Sequence, residues 1–233
     1  MIMAILKRDI ILALRSGGAW LYGVFFFVAF IALSAIAMGG TLNLIRPFAP
    51  ALIWLSIIFS AMLSFPSIFQ SDFEDGNLAQ LKISGLSLLN LCIAKALSFA
   101  LISITPLIIA TPFAGLLFDM RAEAITATLL SIAIAAPALS IYGVFSGAVL
   151  AGRQGGGFLI VLITTPFLIP LLIFGVEAIN GYSQSGLGAL EFRVLIGLSL
   201  IAIAVGLPAA SACLLYTSPS PRDQRGSRMP SSA

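Results

Sequence analysis

Residues 124–150 read AITATLLSIAIAAPALSIYGVFSGAVL, and none of them is Asp, Glu, Lys, Arg or His. A helix of about 20 predominantly apolar residues crosses the ~30 Å hydrocarbon core of a bilayer. A surface helix in water would instead need a charged or polar face, and this stretch offers none. Residues 124–150 therefore predict a membrane-spanning helix, with Pro137 inside it.

Five further stretches lack charged side chains in the same way. They are residues 16–45, 47–71, 96–118, 154–176 and 194–221. The predicted spans are then 20–38, 48–69, 94–118, 124–150, 158–176 and 194–215. A transmembrane β-barrel would alternate polar and apolar residues along each strand, and these stretches do not alternate. The fold class predicted is an all-α membrane protein with six transmembrane helices.

Composition agrees with this fold class and excludes several others. Of 233 residues, 60% are hydrophobic and only 9% are charged, whereas soluble domains carry about 25% charged residues. A water-soluble globular domain is therefore excluded. The formal net charge of +3 is too small to indicate nucleic-acid binding. Cys92 and Cys213 stand far apart without a motif, which favours a role as small apolar core residues.

A short separate element precedes the first span. Residues 1–17 predict an amphipathic helix that lies on the membrane surface, with Lys7, Arg8 and Arg15 toward the lipid headgroups. Its apolar side is formed by Ile2, Leu6, Ile10 and Ala13. Asp9 interrupts the basic side, so a plain basic N-terminal flank is the alternative.

The distribution of Lys and Arg over the short loops predicts the orientation. One set of connections carries Lys7, Arg8, Arg15, Lys82, Lys95 and Arg153. The opposite set carries only Arg46, Arg121 and Arg193. Because basic residues concentrate on the cytoplasmic side, both termini are predicted to be cytoplasmic.

Residues that would support catalysis are missing from the sequence. There is no histidine, which removes the commonest general base and metal ligand. No phosphate-binding loop of the Gly-x-x-x-x-Gly-Lys-Ser/Thr type occurs. Lys95 and Glu177 are placed near span ends rather than at mid-membrane, which disfavours an ion relay. We therefore expect neither enzymatic activity nor a metal site, and an energy source in a partner protein.

The most informative polar segment is residues 70–82, between the second and third predicted spans. Ser71 and Glu74 have capping-box spacing, which predicts a helix start there. The segment combines acids with a glycine and two leucines: Asp72, Glu74, Asp75, Gly76, Leu78 and Leu81. A short helix with acids at its start and an apolar ridge after it would suit the docking of a soluble partner. The alternative is a solvated loop with incidental acids.

The C-terminal residues 216–233 change abruptly to Ser, Pro and Arg. Such a composition cannot bury enough apolar surface to fold. We expect a disordered tail or a non-native end that resembles translated adapter sequence, and we assign it no function.

Three segments carry a family resemblance. Phe69-Gln70-Ser71-Asp72-Phe73-Glu74-Asp75-Gly76-Asn77-Leu78, followed by Leu81, resembles the signature loop of the haem exporter permease family, cytochrome c maturation protein B. More broadly, it resembles ABC-2 type exporter permeases. Pro166–Gly175 is similar to the fifth span of the family, and Leu6–Asp9 with Arg15 to its start. The resemblance covers about residues 1–215. Gly85 departs from it, since family members usually have proline there.

The resemblance implies a set of partners. Family members pair with a cytoplasmic ABC ATPase, cytochrome c maturation protein A, which binds the ATP. Haem-handling membrane subunits, proteins C and D, and a haem chaperone, protein E, complete the system. The loop 70–90 would be the coupling helix, and two copies of the chain would serve two ATPase subunits. The coupling residues implied are Gln70, Asp72, Glu74, Asp75, Gly76, Leu78 and Leu81.

The function expected is the permease subunit of an ABC-type complex for haem export in c-type cytochrome biogenesis, in the bacterial inner membrane. Haem would be a substrate rather than a bound cofactor, because its iron usually takes His, Cys, Met or Tyr as ligand and histidine is absent. Two alternatives remain open at this point. The chain could be an ABC-2 permease for a drug or polysaccharide, or a membrane scaffold that transports nothing.

Overall fold

The computed structural model describes residues 2–16, 19–39, 45–74, 87–151 and 157–216. Its α-helices in chain order are α1 Ile2–Ser16, α2 Ala19–Ala37, α3 Ala49–Ser64, α4 Ser67–Glu74, α5 Leu88–Phe99, α6 Thr105–Leu117, α7 Ala122–Leu150, α8 Gly157–Ser185, α9 Leu190–Ile201 and α10 Leu207–Tyr216. Short 3₁₀ turns at Arg46–Phe48 and Gly186–Gly188 precede α3 and α9. The described part of the chain contains no strand.

In the described part of the chain, six helical stretches are long and apolar enough to cross a membrane. They are Trp20–Ala37, Arg46–Gln70, Leu88–Leu117, Ala122–Leu150, Val161–Gly188 and Leu190–Leu215. The predicted all-α fold with six spans is confirmed. The third and sixth spans each consist of two α-helices joined by one π-helical turn, at Ala100–Ile104 and Ala202–Gly206.

Helix α7 lies at the centre of the bundle. It packs against α3, α4, α5, α6, α8, α9 and α10, whereas α2 lies at the periphery, mainly against α3. At the middle of the core, the fully buried indole of Trp54 on α3 donates its N–H to the hydroxyl of Ser131 on α7 at 3.1 Å. Gly175 on α8 leaves room for this indole, because a Cβ there would lie 2.3 Å from the ring.

Side-chain hydroxyl groups link neighbouring spanning helices, one of them next to a proline. Pro137 lies inside α7 and cannot donate to the preceding turn. Ser199 on α9 donates to the carbonyl of Ile134 in that turn at 2.8 Å. The carbonyl that Pro137 leaves without a helix donor is that of Ala133, four residues before it. The Ser199 bond falls on the next carbonyl and links α9 to α7 beside the proline. A second link between helices joins Ser146 to Thr164, at 2.7 Å between hydroxyls.

Two predicted boundaries were wrong. The third span begins at Leu88 rather than at 94, so Lys95 lies two turns inside the helix, roughly 10 Å along its axis. The fifth span, predicted to end at residue 176, continues as α8 to Ser185, so much of the interval before the sixth predicted span is helical. One exposed glutamate does not end a helix. The helix stops at Gly186, whose φ of +58° suits a glycine C-terminal stop.

Candidate coupling site at one end of the bundle

Helix α4 begins where the second span is interrupted. Pro66 has no amide hydrogen and ends the regular pattern of α3. The Phe65 amide instead donates to the Met62 carbonyl at 3.2 Å, and the Ser67 hydroxyl donates to the Ser64 carbonyl at 2.7 Å. The new helix therefore starts at Ser67.

The capping box predicted at Ser71 and Glu74 is wrong. Both residues lie within α4, which begins one turn before Ser71 and ends at Glu74. A Ser-x-x-Glu pattern is equally compatible with a helix interior, and the proline upstream decides where this helix starts. The first five residues of the predicted coupling segment, 70–74, are thus helical.

Two glycines of α7 form a seat for the α3–α4 junction. Gly143 and Gly147 are four residues apart and therefore share one face of the helix. A Cβ on Gly143 would lie 2.7 Å from the ring of Phe65, and one on Gly147 would lie 3.0 Å from the Phe65 carbonyl. Phe65 and Phe69 are both fully buried there. The small-residue pattern in residues 143–147 could have indicated this contact from sequence.

Four charged side chains from three helices meet beside this seat. The Arg8 guanidinium lies 2.9 Å from Asp9 and 2.7 Å from Asp72. The Lys95 ammonium lies 3.0 Å from Asp9 and 2.5 Å from Asp72. Each cation thus contacts both carboxylates, and each carboxylate contacts both cations. We call this closed, formally neutral set of Arg8, Asp9, Asp72 and Lys95 the charge ring.

The charge ring is largely withdrawn from solvent. The side chains of Asp72, Lys95 and Asp9 are 3%, 6% and 10% exposed, and that of Arg8 is 32% exposed. The Lys95 ammonium also lies 5.9 Å from the centre of the Phe69 ring, within cation–π range. Removing one partner of a buried ion pair costs roughly 3–5 kcal/mol because the remaining charge is uncompensated.

Arg8 keeps its charge in this setting. Burial acts to lower its pKa, but hydrogen bonds and Coulomb attraction from Asp9 and Asp72 outweigh it, so the pKa of Arg8 is raised. The Arg8 guanidinium is engaged by two carboxylates and its side chain is 32% exposed, so its contact with lipid headgroups stays a prediction. Lys7 and Arg15 are exposed on α1.

The predicted coupling residues do not share one environment. Gln70 is exposed on α4, whereas the carboxylate of Asp72 is buried in the charge ring. Glu74 is the last residue of α4. Three more lie outside the described residues together with Asp75: Gly76, Leu78 and Leu81. The structure thus brings Asp72 together with Arg8, one of the predicted membrane-surface residues.

Sequence reasoning missed Asp9 and Lys95 as site residues. Asp9 was read as an interruption of a basic helix face, and Lys95 as a residue near a span end. The missed signal for Lys95 was its depth, since a charged residue within a hydrophobic helix demands a partner of opposite charge.

At the opposite end of the bundle, one ion pair joins two loops. Arg46 donates its Nε–H to the Asp119 carbonyl at 2.8 Å, and its guanidinium also pairs with the Asp119 carboxylate. These side chains are 43% and 56% exposed. The charge ring and this pair lie at opposite ends of the spans, in agreement with the two sets of loops separated by the Lys and Arg distribution.

This architecture defines a multi-pass helical membrane protein with a polar junction between its N-terminal helix and its second and third spans. The model of the CcmB protein family matches residues 1–217. The chain belongs to this family.

Curated relatives span nearly the whole chain. The heme exporter protein B of Bradyrhizobium diazoefficiens is 37% identical over 215 residues, which cover 91% of this chain and 96% of that protein. That of Paracoccus denitrificans is 35% identical and covers 91% and 97%. The Escherichia coli K12 protein of the same name is 28% identical and covers 94% and 99%.

Proposed function

We propose that this chain is the permease subunit of an ABC-type complex for haem export or haem handling in c-type cytochrome biogenesis. Membership of the CcmB family and full-length relatives named heme exporter protein B support this substrate class. Haem is the cargo in this proposal, and no haem is held as a resident cofactor.

The energy comes from ATP bound by a partner subunit similar to cytochrome c maturation protein A. The partner docks on α4 and the residues that follow it, with Gln70, Glu74, Asp75, Gly76, Leu78 and Leu81 as contact residues. The observation that carries this step is the seat of the α3–α4 junction on the central helix α7. A displacement of α4 therefore acts directly on the central helix α7. The output is haem transfer or release of the haem-loaded chaperone.

The proposed setting is the bacterial inner membrane with both termini in the cytoplasm. Two copies of the chain would provide two docking sites for two ATPase subunits. Haem-handling subunits similar to cytochrome c maturation proteins C and D would complete the complex.

Copurification from the native host tests the docking step. A tagged chain should retain the ATPase subunit, and the double reversal Glu74→Lys/Asp75→Lys should remove it together with c-type cytochrome formation. Glu123→Lys reverses an exposed acid at the opposite end of the bundle and serves as the matched control. Retention of the ATPase and of cytochrome formation by the double reversal would favour a scaffold that docks nothing through this segment.

Labelling of intact cells tests the orientation. In a chain whose native cysteines are replaced by alanine, Glu123→Cys should react with a membrane-impermeant maleimide and Gln70→Cys should react only after lysis. The reverse pattern would place α4 on the wrong side for a cytoplasmic ATPase.

A further inference from the structure

We propose that the charge ring transmits movement of α4 to the third span and to α1, with Asp72 acting inside the protein rather than on the ATPase surface. Arg8, Asp9 and Lys95 are then positioning residues for the coupling helix. This inference rests on the proposed function, because it assigns the internal route by which α4 acts.

The first argument is the connectivity of the ring. Asp72 belongs to α4, Lys95 to α5, and Arg8 and Asp9 to α1, so the ring is a polar link among three helices. Between α4 and α5 the chain passes through residues 75–86, and between α1 and α4 it passes through two spans. The direct contacts are the 2.5 Å pair Lys95–Asp72 and the 2.7 Å pair Arg8–Asp72. Displacement of α4 must therefore stretch both pairs or carry α1 and α5 with it.

The second argument is the environment of the ring. With Asp72 and Lys95 at 3% and 6% side-chain exposure, little water is present to replace either partner. Separation would leave buried charges unpaired, so joint movement of the helices costs less than separation. In an exposed ion pair, water can replace either partner, so such a pair would transmit little movement from one helix to another.

The third argument is what lies beyond Lys95 on the same span. Five residues further on, the helix becomes π-helical at Ala100–Ile104, just before Pro106. The Thr105 hydroxyl donates to the Ala100 carbonyl across this turn at 3.0 Å. Single π-helical turns and prolines are the usual places where a helix bends. A displacement of Lys95 therefore acts on the helix five residues before this π-helical turn, where the third span can bend.

The fourth argument is that stability alone does not require the ring. Buried ion pairs are often no more stabilising than apolar residues of similar size. The close packing of Phe65 and Phe69 on α7 already holds α4 in place. The ring adds a directional connection to α1 and α5 that this packing does not supply.

The test uses a balanced deletion. Asp72→Asn and Lys95→Met each leave one uncompensated charge and should lower the accumulation of the protein. The double variant Asp72→Asn/Lys95→Met leaves Arg8 paired with Asp9 and should restore accumulation. Arg46→Gln/Asp119→Asn removes the exposed pair at the opposite end and is the matched control.

Three quantities are measured in the native host: ATPase copurification, ATP hydrolysis by the purified complex, and c-type cytochrome formation. We expect the ring double variant to keep the ATPase and its hydrolysis while cytochrome formed per ATP falls about tenfold or more. The control double variant should retain the ATPase and a normal amount of cytochrome formed per ATP. A merely structural role for the ring would leave that ratio unchanged once accumulation is restored.

Two outcomes would overturn the inference. One is a normal ratio in the ring double variant, which would make the ring structural only. The other is loss of the ATPase from both Asp72→Asn and the double variant, which would make Asp72 a docking contact. Neither outcome touches the proposed function, which fails separately if the Glu74→Lys/Asp75→Lys variant keeps its ATPase.

Discussion

The two ends of this helical bundle use the same ionic chemistry in opposite surroundings. At one end Arg8, Asp9, Asp72 and Lys95 form a closed ring, three of whose side chains are at most 10% exposed. At the other end Arg46 and Asp119 pair in the open, at 43% and 56% exposure. An exposed pair can be replaced by water, whereas a buried ring constrains every helix that contributes to it. This difference indicates that α1, α4 and α5 are held together by ion pairs at the end of the bundle that contains the charge ring.

The largest expected effect follows from breaking the buried end. Lys95→Met removes the cation that contacts both Asp9 and Asp72 and leaves Arg8 alone to balance two carboxylates. We expect the free energy of unfolding to fall by roughly 3–5 kcal/mol, measured by denaturant titration in detergent micelles. Lys95→Arg keeps the charge and should recover most of the loss. A loss below that of Arg46→Gln would contradict the comparison.

The next effect concerns the seat beside the ring. Gly143→Ala places a methyl group 2.7 Å from the fully buried ring of Phe65. Overpacking of this kind costs about 1–3 kcal/mol. Gly197 on α9 is the matched control, since a Cβ there meets nothing within 4 Å. Gly197→Ala should be neutral or stabilising by up to ~1 kcal/mol. Equal effects at the two positions in the same titration would show that the seat is not close-packed.

A smaller effect is expected midway between the ends. Trp54→Phe removes the N–H that donates to Ser131 at 3.1 Å and shortens the side chain that fills the space at Gly175. We expect a loss of about 1–2 kcal/mol. Ser131 still donates to the Thr128 carbonyl at 2.9 Å, which limits the penalty. Thermal unfolding followed by circular dichroism measures this change, and a loss as large as that of Lys95→Met would contradict the ranking.

The smallest effect belongs to the open end. Arg46→Gln removes an exposed pair, which is worth about 0–1 kcal/mol. The change should also depend on salt, because exposed pairs are screened and buried ones much less so. Unfolding measured at low and high salt checks both points. A salt-independent loss above ~2 kcal/mol would mean that Arg46 is desolvated like Lys95.

The spans could be predicted from the sequence because a helix that crosses lipid needs about 20 consecutive apolar residues. Charge-free length alone located six helices, including the central helix α7. The ends of the helices were harder to predict. The predicted loop 70–90 overlaps α5, which begins at Leu88. The fifth span, predicted to end at residue 176, continues as α8 to Ser185. The π-helical turn before Pro106 has no pattern that marks it in advance.

The charge ring could not be predicted from the sequence. Its members come from α1, α4 and α5, and no local periodicity connects Asp9 with Lys95. Asp72 looked like one member of an acidic surface cluster because Glu74 and Asp75 are its sequence neighbours. Only the packing of α4 on α7 turns Asp72 inward, and that packing depends on Gly143 and Gly147.

The central claim is that movement of α4 reaches the third span through the charge ring. Spin labels at Phe113 on α6 and Ile173 on α8, both exposed, report the position of the third span against the fifth. In the complex with its ATPase, we expect ATP to shift the distance distribution measured by pulsed electron resonance. The Asp72→Asn/Lys95→Met variant should bind the ATPase and lose that shift. An identical shift with and without the ring would contradict the account.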